Sequence, residues 1–219
     1  IEKRQQGFHD INFNGSKPSK ALCAAYNVRD PFERMVRNAV SQSLLADFVE
    51  YEKNAVGGND KKVWSLKAIL DMAKMIFSGE VTEETENLLI EFLDALVEST
   101  PILSALVYPE REPKEYRRDF LCGHSVIAVA LGIVGKELFI NRKDDWKDIL
   151  TGLKNSDFWW RDAGVFEGRC EINGKMKSSK NAAELTAFKL LSLCGYENDE
   201  FTKEREIDLL CKSGFNKAA

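Results

Sequence analysis

The dipeptide Asn173-Gly174 restricts this chain more than any other stretch. A two-residue type I′ turn needs positive φ at both central positions, and Asn-Gly tolerates that best. Read outward from the turn, Phe166 to Leu191 is strand, turn, strand and helix. Ser178 or Ser179 can cap that helix, and Leu185, Phe188, Leu190 and Leu191 lie on or near its apolar face. Arg169, Lys175, Lys177 and Lys180 sit on the same small unit. A basic ribbon leading into a helix N-terminus can cradle phosphate. The plainer reading is a hairpin docked on a helical body with its lysines solvated.

Around this unit the chain reads as mainly α, a helical body of about six to seven helices. Asp30-Pro31 opens a helix with Asp at N-cap and Pro at N1, running to about Phe48. Asn54 to Asp60 is a turn. Ser65 caps a helix ended by Gly79, and Thr82 caps the next, with Glu83 and Glu84 placed for its dipole. Pro101 breaks the chain, and Pro109 and Pro113 flank a charged connector. A long helix is expected over roughly Lys114 to Phe139, with small residues at near-helical spacing that suit close packing. A short helix follows over Asp144 to Leu153. Asp157 to Val165 is an aromatic connector, in which one of Trp159 and Trp160 points in and the other out. Thr202 caps a final helix to about Lys212, and Gly214 onward is read as frayed. Ile1 to Phe8 is the end of a helix or a strand, and Asp10 to Lys20 is an ordered loop rich in Asn, Gly, Ser and Pro.

With 219 residues, 44% of them hydrophobic, the chain can bury one sizeable core or two small ones. Its net charge of -4 excludes nucleic-acid binding by bulk charge, so any such contact needs a local patch. The charge is uneven. Lys17 to Arg37 is mostly cationic, whereas Glu80 to Glu98 carries only acids and reads as the solvated face of a helix. The five cysteines form no CxxC pair and have only two histidines to help them, which argues against a metal site and for reduced thiols in the cytoplasm. No apolar run approaches the length of a membrane span. The chain begins at Ile1 in what reads as the middle of a fold, so a preceding N-terminal part is expected.

Motifs with a mechanism of their own are missing: there is no P-loop, GxGxxG, HExxH or GxSxG. His9 beside Asp10 could be a base with its orienter, but a structural role suits a lone His-Asp pair better. His124 is read as a helical residue, packed or polar-bonded. Trp159-Trp160-Arg161 could stack a base, and Arg117-Arg118-Asp119 could meet phosphate or pair with the acidic helix.

Several stretches taken together resemble one family. FHDINFNGSKPSKAL with VRDP after it, EKNAVGGNDKKVWSLKAIL, RRDFLCGHSVIAVALGIVGKEL and DFWWRDAGVFEGRCEINGKMKSSKNAAELT follow one another as in DGQHR-domain proteins, above all those of DNA sulfur modification. The DGQHR signature itself is not in this chain. Ala163-Gly164 stands where the family has Asn-Pro, and Asn27-Val28 where it often has Asp-His.

The resemblance implies a cytoplasmic DNA-associated protein encoded with a DNA phosphorothioation system of bacterial defence, a regulator of transcription. Residues 1–20 would be the edge of a ParB-like DGQHR domain, 21–156 a helical domain, and 157–219 the connector, hairpin and last helices packed on it. Asp10, Asn12, Lys17, Ser19, Lys20, Arg118, Gly168 and Arg169, with the hairpin's Lys175, Lys177 and Lys180, form the expected phosphate or DNA surface. Asp119 and His124 form a polar site. The expected partners are DNA, other DNA-modification proteins and a second copy, with no membrane. Two alternatives stand beside this reading: a nucleotide-dependent DNA-processing enzyme, with its nucleotide site completed by the preceding domain, and a scaffold for modification enzymes.

Overall fold

The computed structural model describes residues 18–27, 29–57, 60–108, 118–142 and 144–212. Asp10, Asn12 and Lys17, and the readings of the first seventeen residues, lie outside them. Among the described residues there are nine α-helices and two two-stranded ribbons: α1 (Lys20–Tyr26), α2 (Pro31–Gln42), β1 (Val49–Glu50), β2 (Trp64–Ser65), α3 (Leu66–Phe77), α4 (Glu83–Ser99), α5 (Pro101–Val107), α6 (Ser125–Asn141), α7 (Trp146–Leu150), β3 (Glu171–Ile172), β4 (Lys175–Met176), α8 (Lys180–Leu193) and α9 (Glu200–Lys212). The fold is mainly α.

Local chemistry sets most helix starts. Asp30 accepts from the amides of Phe32 (2.9 Å) and Glu33 (3.1 Å), with Pro31 at the first helical position. Ser65 accepts from Ala68 N (3.2 Å), Ser179 from Ala182 N (3.1 Å), and Thr82 and Thr85 cap each other's amides. At the last helix the cap is Asp199, which accepts from Thr202 N at 2.7 Å; Thr202 lies inside the first turn rather than at its edge.

Pro101 breaks the chain as expected: α4 ends at Ser99, and Pro101 opens α5, where its missing N–H costs nothing. Two boundaries differ from expectation. The helix after Pro31 stops at Gln42, and Ser43 Oγ donates to Val40 O while a 3₁₀ turn over Ala46–Phe48 leads into β1. The long helix starts only at Ser125. The chain before it is drawn aside by Phe120, which bridges to Trp160, and by Leu121 N, which donates to Trp159 O at 2.9 Å. His124 is therefore the N-cap residue of α6 and not a residue within a helix.

The hairpin forms where Asn173-Gly174 places it. Glu171 pairs with Met176 and Ile172 with Lys175, with φ of 51° at Asn173 and 70° at Gly174. Arg161 donates to Gly174 O (2.8 Å) and pairs with the buried carboxylate of Glu171 (3.4 Å), tying the turn to the aromatic connector. Trp159 is fully buried and Trp160 half-exposed, as the in-and-out reading expects.

One continuous core runs from Ala24 to Leu191, with a small satellite of Leu185, Phe188 and Leu209 under α9. At its centre lies α6, apolar on nearly every side, as befits a helix surrounded by others. Its glycines let neighbours close in: a Cβ on Gly132 would stand 2.7 Å from Met72 O on α3, and one on Gly135 2.8 Å from the Phe92 ring on α4.

Candidate functional site

Helices α3, α6 and α8 lie side by side and run the same way. Trp64 Nε1 donates to Cys122 O (2.9 Å), which pins the start of α3 beside the start of α6, and Gly132 against Met72 keeps them level further along. Tyr196 OH donates to Glu137 Oε1 (2.8 Å), which pins the end of α8 beside the end of α6. The three N-termini therefore open at one end of the molecule, and their partial positive charges add there.

Between these helices lies a groove of about 750 Å³. Its floor is one stripe of α6, from Ser125 through Val129 and Ile133 to Lys136, about 16 Å long at the helical rise. α3 and α8 form the walls, and Arg205 of α9 reaches in from the side. Five cations line it (Lys67, Lys74, Lys136, Lys180 and Arg205) against two carboxylates, Asp71 and Glu184. Lys67 pairs with Asp71, and Arg205 with Glu184 at 3.0 Å. Among the described residues, Lys74, Lys136 and Lys180 face no carboxylate partner. An acidic chain thus keeps a net positive groove.

Asn54 links the first cationic stretch to the lining of this groove. Asn54 Oδ1 accepts from Ala21 N (2.9 Å) in the first turn of α1, and Asn54 O accepts from Ser65 Oγ (2.8 Å). Ser19 Oγ caps α1 by accepting from Leu22 N and donates to Glu52 O. Asn54 lines the groove together with Ser178, Ser179 and Lys180. On the far side of Ser179 a smaller hollow of about 220 Å³ is lined by Lys177, Asn181 and Lys212. Ser19 and Lys20 thus stand at the start of α1 and Lys177 and Lys180 at the start of α8, with the exposed Lys175 on the hairpin.

Other expected residues make contacts within the fold. Arg169 pairs with Glu206 at 2.5 Å and donates to Leu185 O (3.1 Å), with only 15% of its side chain exposed. Gly168, at φ 80°, turns the chain so that its amide donates to Glu171 O. Arg118 is held by Asp119 through two bonds of 2.7 and 2.8 Å, which takes up charge at both residues. His124 is half-buried at the start of α6, where its carbonyl accepts from Ile127 N. Arg37, within the cationic run, donates to Asn27 O (2.9 Å) at the end of α1. Lys67, Lys74, Lys136 and Arg205 escape sequence reasoning. Lys67, Asp71 and Lys74 do share one helical face, but nothing local says which face meets a neighbour.

No group of side chains suited to a metal ion occurs among the described residues. None of the five cysteines forms a disulfide. Burial pushes Cys170 up to about 11 and Cys194 up to about 12, so neither is a thiolate near neutrality. Iodoacetamide at pH 8 should therefore modify the exposed Cys23 and Cys211 about 100-fold faster than Cys170 and Cys194 in the folded protein, as peptide mapping by mass spectrometry would show. The linkage follows from the same shift. A raised folded pKa favours the fold below the ordinary thiol value of 9.0, and that contribution fades as pH climbs towards about 11. Urea midpoints should fall between pH 8.5 and 10.5, and fall less in Cys170→Ala.

Fold and groove together define a mainly α-helical protein with a cation-rimmed, apolar-floored groove at the shared start of three helices. The family model of DndB, described as DNA-sulfur modification-associated, matches residues 1–197, and the chain belongs to that family. Helix α9 lies beyond the matched residues. No curated protein and no solved structure matches the chain. No helix among the described residues is long and apolar enough to cross a membrane.

Proposed function

We propose that this protein is a DNA-associated regulator of a DNA sulfur modification system, holding backbone phosphates on the cationic surface around the starts of α1 and α8. The observation that supports the reading is the double role of Asn54. That residue accepts from the first turn of α1, beside Ser19 and Lys20, and also lines the groove that Ser178, Ser179 and Lys180 line. Lys175 and Lys177 extend the same positive surface along the hairpin. Short hydroxyl donors, flexible ammonium groups and helix N-termini are what phosphate oxygens require. Recognition of this kind is directed mainly at the backbone and is sensitive to salt. DNA sequence preference would come from the shape of the duplex or from a segment outside the described residues. The family membership supports the system, and the charge placement supports the DNA contact.

A gel-shift titration of the 219-residue chain on duplex DNA at about 50 and 200 mM salt tests this. The parent chain should bind at low salt, with log K falling by about 0.9 for each phosphate contacted per tenfold rise in salt, or about 0.5 over this range. The triple variant Lys20→Ala, Lys177→Ala, Lys180→Ala should bind at least about tenfold more weakly, with a slope shallower by about 2 to 3. Absence of a complex at low salt, or a triple variant indistinguishable from the parent, would refute the proposal.

A further inference from the structure

We infer that the groove between α3, α6 and α8 is a binding site for a small organic phosphate, with the apolar body on α6 and the anionic head at the mouth. Its volume of about 750 Å³ falls within the range of small-ligand pockets, roughly 300–1,000 Å³. The surface inside is predominantly apolar, with charged side chains along its rim. Val129 and Ile133 of the floor stay half-exposed, although the helix that bears them is otherwise wrapped by neighbours. Met75, also half-exposed, supplies an adaptable wall. Ser178, Ser179 and Lys180 stand at one end as hydroxyl and ammonium donors, and Lys74 and Lys136 lie along the length without carboxylate partners among the described residues.

These features select the ligand. A purely apolar molecule would leave the lysines nothing to meet, and a bare phosphate would leave the floor exposed. A cation would meet a net positive wall. A molecule joining an apolar or aromatic body to a phosphate satisfies both halves, and it can be a nucleoside monophosphate or an alkyl phosphate. Ser178, Ser179 and Lys180 are also part of the proposed DNA surface. A bound ligand would therefore compete with DNA, a consequence that rests on the reading above, whereas ligand binding itself does not.

The test uses the whole chain with its four methionine methyls labelled with ¹³C. It is titrated separately with octyl phosphate, with AMP and with inorganic phosphate. The methyl signal of Met75, in the groove wall, should shift and saturate with octyl phosphate or AMP, whereas that of Met35, buried against α4, should not move. Which of the two organic phosphates acts tells alkyl from nucleoside chemistry. The double variant Lys136→Glu, Lys180→Glu should weaken binding at least about tenfold while keeping its melting temperature, since both residues are exposed. Failure of both organic phosphates to move Met75, an equal response to inorganic phosphate, or unchanged affinity in a folded double variant would each overturn the inference. If the double variant does not fold, the titration of the parent chain decides. Ligand binding is read without DNA, so its failure and a failed gel shift remain distinguishable.

Discussion

Trp159→Ala is expected to destabilise the protein by about 3–5 kcal/mol, the range for removing a large buried aromatic. Trp159 is wholly buried, 5.0 Å from the Phe158 ring and stacked at 6.4 Å on Phe166. Its indole N–H donates to Leu153 O at 3.1 Å, and alanine would leave that carbonyl without the donor. At roughly 2–4 °C per kcal/mol for a chain of this size, the melting temperature should fall by about 6–20 °C. Trp159→Phe separates the causes: it keeps most of the volume, loses only the N–H, and should cost about 1–2 kcal/mol. Urea unfolding of both variants measures the difference. Equal stability of Trp159→Ala and the parent would show that the connector does not contribute to the core. The effect should also reach the hairpin, because Trp159 accepts from Leu121 N while Arg161, two residues on, holds Gly174 O. Amide exchange in Glu171 to Met176 should therefore rise more than in α4.

Gly132→Val carries the second large effect, about 3 kcal/mol. A Cβ at this position would lie 2.7 Å from Met72 O and 2.9 Å from Met72 Cα. These are backbone atoms inside α3, which cannot swing away as the end of a side chain can. The helices must part, and overpacking a tight core typically costs about 1–3 kcal/mol, more when backbone has to move. Helix propensity works the other way, since valine is a slightly better helix former than glycine by a few tenths of a kcal/mol. The steric term wins by several-fold. Gly135→Ala should be milder, because its new Cβ meets the Phe92 ring, a side chain, at 2.8 Å. Thermal melts rank the two, and a Gly132→Val as stable as the parent would mean that α3 and α6 do not cross this closely. Because α3 and α6 bound the groove, Gly132→Val should also weaken the methyl response of Met75.

The hairpin and most helix starts were legible in the sequence because they are decided within a few residues. Asn173-Gly174 has the backbone freedom a type I′ turn demands, and both residues adopt positive φ. Asp30, Ser65, Thr82 and Ser179 each satisfy an amide two or three residues ahead, so the cap shows wherever it is written. The mainly helical class follows from the same local signals and from apolar periodicity. The family likeness was legible as well, in the order of several soft motifs along the chain.

The start of α6 was not legible, because nothing near Lys114 to His124 announces that Phe120 and Leu121 will pair with Trp159 and Trp160, about forty residues later. The fate of each cation was hidden for the same reason. Arg169 and Lys180 look alike on paper, yet Arg169 finds Glu206 on the last helix and Lys180 finds no carboxylate among the described residues. Sequence alone determined which segments become helix or hairpin, since hydrogen bonds and dihedral preferences act over one turn. Tertiary structure decided which charges remain available to a ligand and that three helices begin side by side, since Coulomb pairing and packing depend on distance in space and not along the chain.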